Sequence, residues 1–160
     1  LLAAGADLGM REIGFNALLS LRLEKSFGIW SAEFTQAYTP GSTGMDRWID
    51  WDKGDFVGRA AALAERDGNG PAQRILTLEI DAKDADASGY EPVWNGETRV
   101  GFVTSGGYGH TTGKSLAMAM IDSDVATEGT DLTVHVVGQE RPAKVIAPSP
   151  YDPKGQAMRG

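Results

Sequence analysis

Arg22 and Glu24 stand two residues apart in Gly14-Phe-Asn-Ala-Leu-Leu-Ser-Leu-Arg-Leu-Glu24, a run otherwise made of leucines and small residues. On a helix, positions i and i+2 do not face each other. Each charge therefore needs its own partner if it is buried, and a structural ion pair is the default use of such groups. The alternative is that one of them lines an anionic or polar ligand site. Trp30 follows, three residues before Glu33. An indole at a helix exit commonly covers the core. It can also stack on a flat heteroaromatic ligand, with Glu33 placed to accept from ring N–H groups.

A second set of candidates sits in Val103-Thr-Ser-Gly-Gly-Tyr-Gly-His-Thr-Thr-Gly-Lys-Ser115. Gly109-His-Thr-Thr-Gly113-Lys-Ser115 imitates a phosphate-cradling loop, but that motif needs four residues between its glycines. Counting back from Gly113, the required position holds Tyr108. The residues that follow, Ser115 to Ile121, alternate like a strand, whereas a phosphate loop must open a helix. The segment reads instead as a β–loop–β connection in which Gly106, Gly107 and Gly109 permit sharp turning. Tyr108 and His110 then project from the loop, either as a tight barrel turn or over a ligand pocket.

Other chemistries are poorly supplied. The chain has no cysteine and two histidines, His110 and His135. That excludes disulfides, thiolate metal sites and a cysteine nucleophile. No calcium-loop spacing and no nucleophile elbow occurs. A net charge of −7 carries no basic footprint for nucleic acid. No apolar run approaches the length of a membrane span, and no signal peptide is recognisable.

The elements that must position these residues follow from periodicity. Phe15, Leu18, Leu19 and Leu23 recur at helical spacing and predict a helix over 14–25, capped by Asn16 and, with Leu21 widening the stripe, buried on most sides. Residues 26–54 show no sustained period. Pro40-Gly-Ser-Thr-Gly44 is a turn cluster, and short strands are expected around 46–51. Trp48 and Trp51 read as core aromatics beside a solvated acidic face of Asp46, Asp50 and Asp52. Asp55 is expected to cap a helix from Val57 to Arg66, which Asp67-Gly-Asn-Gly-Pro71 ends.

Beyond that linker the pattern changes. Residues 73–81 alternate as a half-buried strand, and the acidic, alanine-rich stretch Asp81 to Ser88 reads as a loop. Asn95-Gly96 signals a two-residue hairpin. Further strands are expected at 98–104, 115–121, 131–138 and 140–147. About six short strands with turn residues between them predict a small antiparallel barrel or sandwich. A closing segment, Pro148 to Pro153, precedes a tail expected to fray. The chain has 160 residues, is 41% apolar and holds 21 glycines, in keeping with one ordinary domain or two small ones rich in turns. It opens on Leu1 as if already inside a helix without an N-cap, which suggests a piece of something longer; a processed N-terminus is the other reading.

In order along the chain these pieces resemble the folate-binding aminomethyltransferase family: the glycine-cleavage T protein and the matching domains of dimethylglycine and sarcosine dehydrogenases. Gly14 to Glu24 resembles that family's Gly-Leu-x-Ala-Arg-Asp-Ser/Thr-Leu-Arg-Leu-Glu helix. Ile29-Trp30-Ser31 stands at its Leu-Tyr-Gly, and Tyr38-Thr39-Pro40 at its Thr-Pro segment. Trp51-Asp-Lys-Gly-Asp-Phe-Val-Gly-Arg59 is similar to its Leu-x-Lys-x-Asp-Phe-Ile-Gly-Arg. Gly101-Phe-Val-Thr-Ser-Gly106, Gly113-Lys-Ser-Leu-Ala117 and Arg141-Pro-Ala-Lys-Val145 are similar to its later motifs. The run Arg22 to Ser31 looks more like the dehydrogenase branch, in which a flavin domain oxidises a methylated amine and the folate domain captures the one-carbon unit.

The resemblance implies an α+β fold. Residues 1–70 would end a helix-containing folate-binding domain, and residues 71–160 would form a small antiparallel β-barrel. It implies tetrahydrofolate contact by Trp30, Glu33, Arg22, Glu24, Tyr108, His110 and Arg74. FAD would be present only in an upstream domain, if there is one. The partners are the N-terminal part of the same protein and folate, with no metal, nucleic acid or membrane, in a cytoplasmic setting. Leu18 stands where the family has an arginine for the folate tail. The family's key aspartate lies in its N-terminal half, so no catalytic residue is expected here and this piece alone should be inactive. The rival expectation is a non-catalytic β-barrel that docks a partner domain.

Overall fold

A computed structural model describes residues 1–159, the side chain of Met158 excepted. Six antiparallel strands close into a barrel in the order β1-β4-β3-β2-β5-β6. They are β1 (Gln73–Ile80), β2 (Pro92–Asn95), β3 (Thr98–Gly109), β4 (Lys114–Asp122), β5 (Asp131–Val136) and β6 (Gln139–Ile146). Closure leaves no free sheet edge. The inward residues of the alternating strands make the main core, with Leu78, Ile80, Val93, Val103, Ala119, Ile121, Val134 and Val145 all buried. The fold class is α+β, as the sequence indicates.

Among the described residues five short α-helices accompany the barrel: α1 (Leu2–Gly5), α2 (Phe15–Glu24), α3 (Pro40–Thr43), α4 (Arg59–Asp67) and α5 (Gln156–Arg159). Strand β4 is buried on both faces because α2 lies across the outside of β3 and β4. Leu23 packs there on Leu116 and Met118. Fully burying each such side chain is worth about 1.5–3 kcal/mol, so this small second core is enough to seat the helix.

The seat depends on a bulge. The β3–β4 register shifts between Val103 and Ser105. Because side chains alternate with period two, one extra residue exchanges the faces that follow. Val103 points into the barrel, whereas Ser105, Gly107 and Gly109 face the helix. A Cβ on Gly107 would press on Leu23, and one on Gly109 would press on Glu24 at 3.0 Å. Gly106 meets the backbone of Ala87 on the other side. The glycines here serve close approach and lie within β3, which corrects the reading of them as a sharp loop. The turn itself is His110 to Gly113.

Several local expectations are also corrected. The α2 N-cap is Gly14, with no side-chain cap from Asn16. Its leucine stripe is not buried on most sides: Phe15, Leu18 and Leu21 are exposed and only Arg22, Leu23 and Glu24 are buried. The helix buries just its last turn against the barrel. Residues 46–48 form a 3₁₀ turn in place of a strand. The Pro40 cluster forms α3, capped by the Thr39 hydroxyl, which accepts from the Ser42 amide. Gly58, at φ 88°, precedes α4 where Asp55 was expected to cap it. Trp48 is exposed beneath Arg47, and half-buried Trp51 lies under Arg66 at 4.5 Å, so neither fills the core. The tail is helical at Gln156–Arg159, held by Asp152, which accepts from the amides of Gln156 and Ala157.

Gly101 gives a direct test of barrel packing. A Cβ there would overlap the backbone oxygen of Met120, an atom that cannot move without shifting β4. Gly101→Ala is expected to lower stability by about 1–3 kcal/mol, the usual cost of overpacking, as read by chemical denaturation. Gly96→Ala lies in open space but at φ 59°, so its cost should come from backbone strain alone.

Candidate functional site

The last turn of α2 presents its two charges to different neighbours. Arg22 reaches back to the loop that follows the helix, where its Nη1 donates to the Phe27 carbonyl at 3.2 Å and to Glu33 Oε2 at 3.4 Å. Glu33 is 0% exposed. Its Oε2 also accepts from the Ile29 amide at 2.8 Å, and its Oε1 accepts from the Ser105 hydroxyl at 2.5 Å. Burial pulls the Arg22 guanidinium down from its ordinary value, and the Glu33 carboxylate opposes that fall. The pair closes the 27–33 loop onto β3. Glu33 is thus a buried hub and does not stand at the mouth of a cleft beside Trp30.

Glu24 is 1% exposed and turns toward the barrel. Its Oε1 accepts from the amides of Thr111 and Thr112 at 2.6 and 2.7 Å. Burial pushes its carboxyl up, but the amides of Thr112 and Thr111 more than reverse this and hold it below the ordinary glutamate range. A depressed value stabilises the fold above the unfolded-chain pKa of about 4.3, and that contribution disappears as pH falls through the lower folded value. Glu24→Gln keeps a neutral acceptor and should therefore lose about 1–2 kcal/mol at pH 7, the difference between charge-assisted and neutral bonds. The two stability curves should converge as pH falls below the unfolded-chain value and through the lower folded one. Denaturant titrations across that range check the sign.

Tyr108 and His110 flank the β3–β4 turn, with their rings edge to face at 5.2 Å. They line a groove of about 990 Å3 at one end of the barrel, walled by the 81–86 loop, Lys114 and Lys144. Its charges are largely paired: Lys114 with Glu79 at 2.7 Å, Lys144 with Asp131 at 3.1 Å, and Asp84 with Arg141 at 2.7 Å. Trp30, Arg22, Glu24 and Glu33 do not line this groove. Trp30 is 81% exposed, so it does not cover the core. Arg74 is exposed on β1 and lines two further grooves, one with Trp51 and Arg66 and one with Arg47 and Thr77. The seven sequence candidates therefore fall into three places. One is the buried ties at the end of α2, with Trp30 on the loop they hold. The others are the Tyr108–His110 groove and Arg74.

Partners that the sequence reading missed are Ser105, Thr111, Thr112 and Ser20, whose hydroxyl donates to the Tyr108 carbonyl at 2.6 Å. Ser105 lay within the quoted Gly101–Gly106 motif, which was a usable signal. The amides of Thr111 and Thr112 leave none. Among the described residues no group of His, Asp and Glu is arranged to hold a metal ion. Among the described residues no helix is long and apolar enough to cross a membrane.

Comparison with known proteins places this geometry. Residues 73–152 match the profile of the glycine cleavage T-protein C-terminal barrel domain, and residues 1–53 that of the GCVT N-terminal domain. The chain is 37% identical over 158 residues to 4-methylaminobutanoate oxidase (formaldehyde-forming) of Paenarthrobacter nicotinovorans, covering 98% of this chain and 19% of the relative. It is 37% identical to the aminomethyltransferase of Thermosynechococcus vestitus over 143 residues, covering 89% of this chain and 38% of the relative. The crystal structure of the glycine cleavage system aminomethyltransferase T from Bartonella henselae superposes with a TM-score of 0.85 at 23% identity, over 92% of this chain and 42% of that one. The chain thus spans about a fifth to two-fifths of these relatives. It is equally similar to an oxidase and to a transferase, so identity does not single out the dehydrogenase-like branch.

Proposed function

Because the chain belongs to the glycine cleavage T-protein family, we propose that it is the C-terminal portion of a tetrahydrofolate-dependent aminomethyltransferase of the cytoplasm. Residues 1–70 complete the folate-binding domain, and residues 71–160 form the barrel domain beside it. The reaction is one-carbon transfer, in glycine cleavage or in demethylation of a methylated amine, giving 5,10-methylenetetrahydrofolate. FAD belongs to an upstream domain where one is present.

The observation that carries this reading is an exposed apolar surface. Leu2, Leu8, Met10, Ile13, Phe15, Leu18 and Leu21 are exposed along the first helical segments and α2. Extensive exposed apolar surface marks an interaction site, and the occupant proposed here is the N-terminal part of the same folate domain. Tetrahydrofolate supplies the nitrogens that accept the one-carbon unit. This chain's residues bind and shape: Trp30 offers an open indole face for a flat ring system, and Arg22 and Glu33 fix the loop that carries it. Tyr108 and His110 stand at the barrel turn, and Arg74 is an exposed cation available to a carboxylate. Glu33 is sealed and triply engaged, so it is no acid or base. The proton-transfer group comes from outside this chain, because a general base must reach the proton it moves.

The test is an assay of methylenetetrahydrofolate formation with an aminomethyl or methylated-amine donor. The whole protein should form product and the 160-residue chain none. A whole protein that neither binds tetrahydrofolate nor forms product would leave the barrel as a docking module.

A further inference from the structure

The β3–β4 turn is a surface turn, yet it is held from below by a buried charge. Thr111 is exposed and Thr112 half-buried. Amides at such a place ordinarily bond to water. Here both point to one Glu24 oxygen contributed by α2, 87 and 88 positions earlier in the chain. Taking a carboxylate out of water is costly, and the two charge-assisted bonds from these amides offset that cost. The two bonds tie a surface turn to one fixed point on α2. The neighbouring contacts agree: Ser20, one helical turn before Glu24, donates to the Tyr108 carbonyl, and Leu23 lies against Gly107. Gly109 has no room for a Cβ beside Glu24. Within the turn itself the ties are Gly113 N–H to the Gly109 carbonyl at 2.8 Å and the Thr112 hydroxyl to the same oxygen at 3.2 Å. Neither fixes the turn relative to the helix.

We propose that Glu24 is a positioning residue: its carboxylate binds the Thr111 and Thr112 amides and so sets where Tyr108 and His110 stand at the groove. Arg22 does the corresponding work one turn-face away, through Glu33, for the loop that carries Trp30. The Arg-Leu-Glu sequence is thus a two-armed organiser, with the leucine anchored in the core between the arms. The residues meeting Glu24 from β3 and the turn are Gly109, Thr111 and Thr112; His110 and Lys114 are the ionisable side chains on that turn and its exit. From the C-terminal segment, Tyr151 donates its amide to the Glu24 carbonyl at 3.0 Å and leaves the carboxylate free for the turn.

The positioning claim stands on geometry alone; its relevance to ligand binding rests on the folate reading. The experiment is amide hydrogen exchange and ring-to-ring nuclear Overhauser effects on the 160-residue chain, with Glu24→Ala and Glu24→Gln. In Glu24→Ala the Thr111 and Thr112 amides should exchange at least about tenfold faster while β5 and β6 amides stay within twofold, and the Tyr108–His110 cross-ring signal should fall. Glu24→Gln keeps an acceptor oxygen and should restore most of the protection, with both amide protons moving upfield as the charge is lost. Unchanged exchange and ring contacts in folded Glu24→Ala overturn the proposal. If that variant does not fold, unmoved Thr111 and Thr112 amide shifts in Glu24→Gln overturn it instead. Tetrahydrofolate titration of the whole protein carrying Tyr108→Ala and His110→Ala separates the two ideas, because an unchanged affinity removes the folate role of the rings and leaves the positioning result standing.

Discussion

Glu33→Ala is expected to cost this chain about 3–5 kcal/mol, the loss that follows when one partner of a buried ion pair is removed. The substitution strands the Arg22 guanidinium at 9% exposure and frees the Ser105 hydroxyl and the Ile29 amide together. Ser105→Ala removes one neutral donor from the same carboxylate and should cost nearer 1 kcal/mol. Replacing both charges, as Arg22→Met with Glu33→Leu, should cost less than Glu33→Ala alone, since no buried charge is left unpaired. Urea denaturation of the four proteins checks the ordering. A Glu33→Ala cost below about 1 kcal/mol, the range of exposed pairs, would show that the pair is solvated in solution and that the 27–33 loop is held by something else.

Trp30→Ala should separate binding from stability. The indole is 81% exposed, so its removal should change stability by no more than about 0.5 kcal/mol. In the whole protein it should weaken tetrahydrofolate binding by about 1–3 kcal/mol, the worth of an aromatic stacking platform under alanine substitution. Trp48→Ala is the matching control: also an exposed tryptophan, stacked under Arg47, with no assigned role in binding. Equal effects of the two substitutions on affinity would remove Trp30 from the site.

How far the sequence foretold this arrangement depends on where each signal resides. The strands were legible because alternation is a local property: residues 73–80 and 115–121 each carry their own pattern, whereas the turn expected at Asn95-Gly96 falls one residue later, at Gly96-Glu97, with Asn95 paired to Thr98 in the ladder. Helix α2 was legible as a helix but not in its facing. Phe15, Leu18 and Leu21 are apolar for a surface the barrel does not cover, so counting leucines overstated the burial. The glycines of β3 were misread because their use, room for α2, depends on a bulge after Val103 that no local pattern announces. The partners of Arg22 and Glu24 were the least legible. Glu33 is only eleven residues from Arg22 and was singled out, but as a ligand contact. The two threonine amides that hold Glu24 are backbone groups, and a sequence does not mark those. The resemblance supplied what periodicity could not, since ordered short motifs along 160 residues identify a family even when each is weak.

The central claim is that this chain holds one side of a folate pocket whose other side comes from the N-terminal part of the same protein. Isothermal titration of tetrahydrofolate into the 160-residue chain and into the whole protein tests it most directly. A divided pocket loses one wall and the ordering that wall provides, and Leu18 offers no charge-assisted bond to the folate tail, a bond worth about 1.5–3 kcal/mol. The account predicts binding by the whole protein and weak or no measurable heat from the chain alone. Tight binding by the chain alone, equal to that of the whole protein, would contradict it.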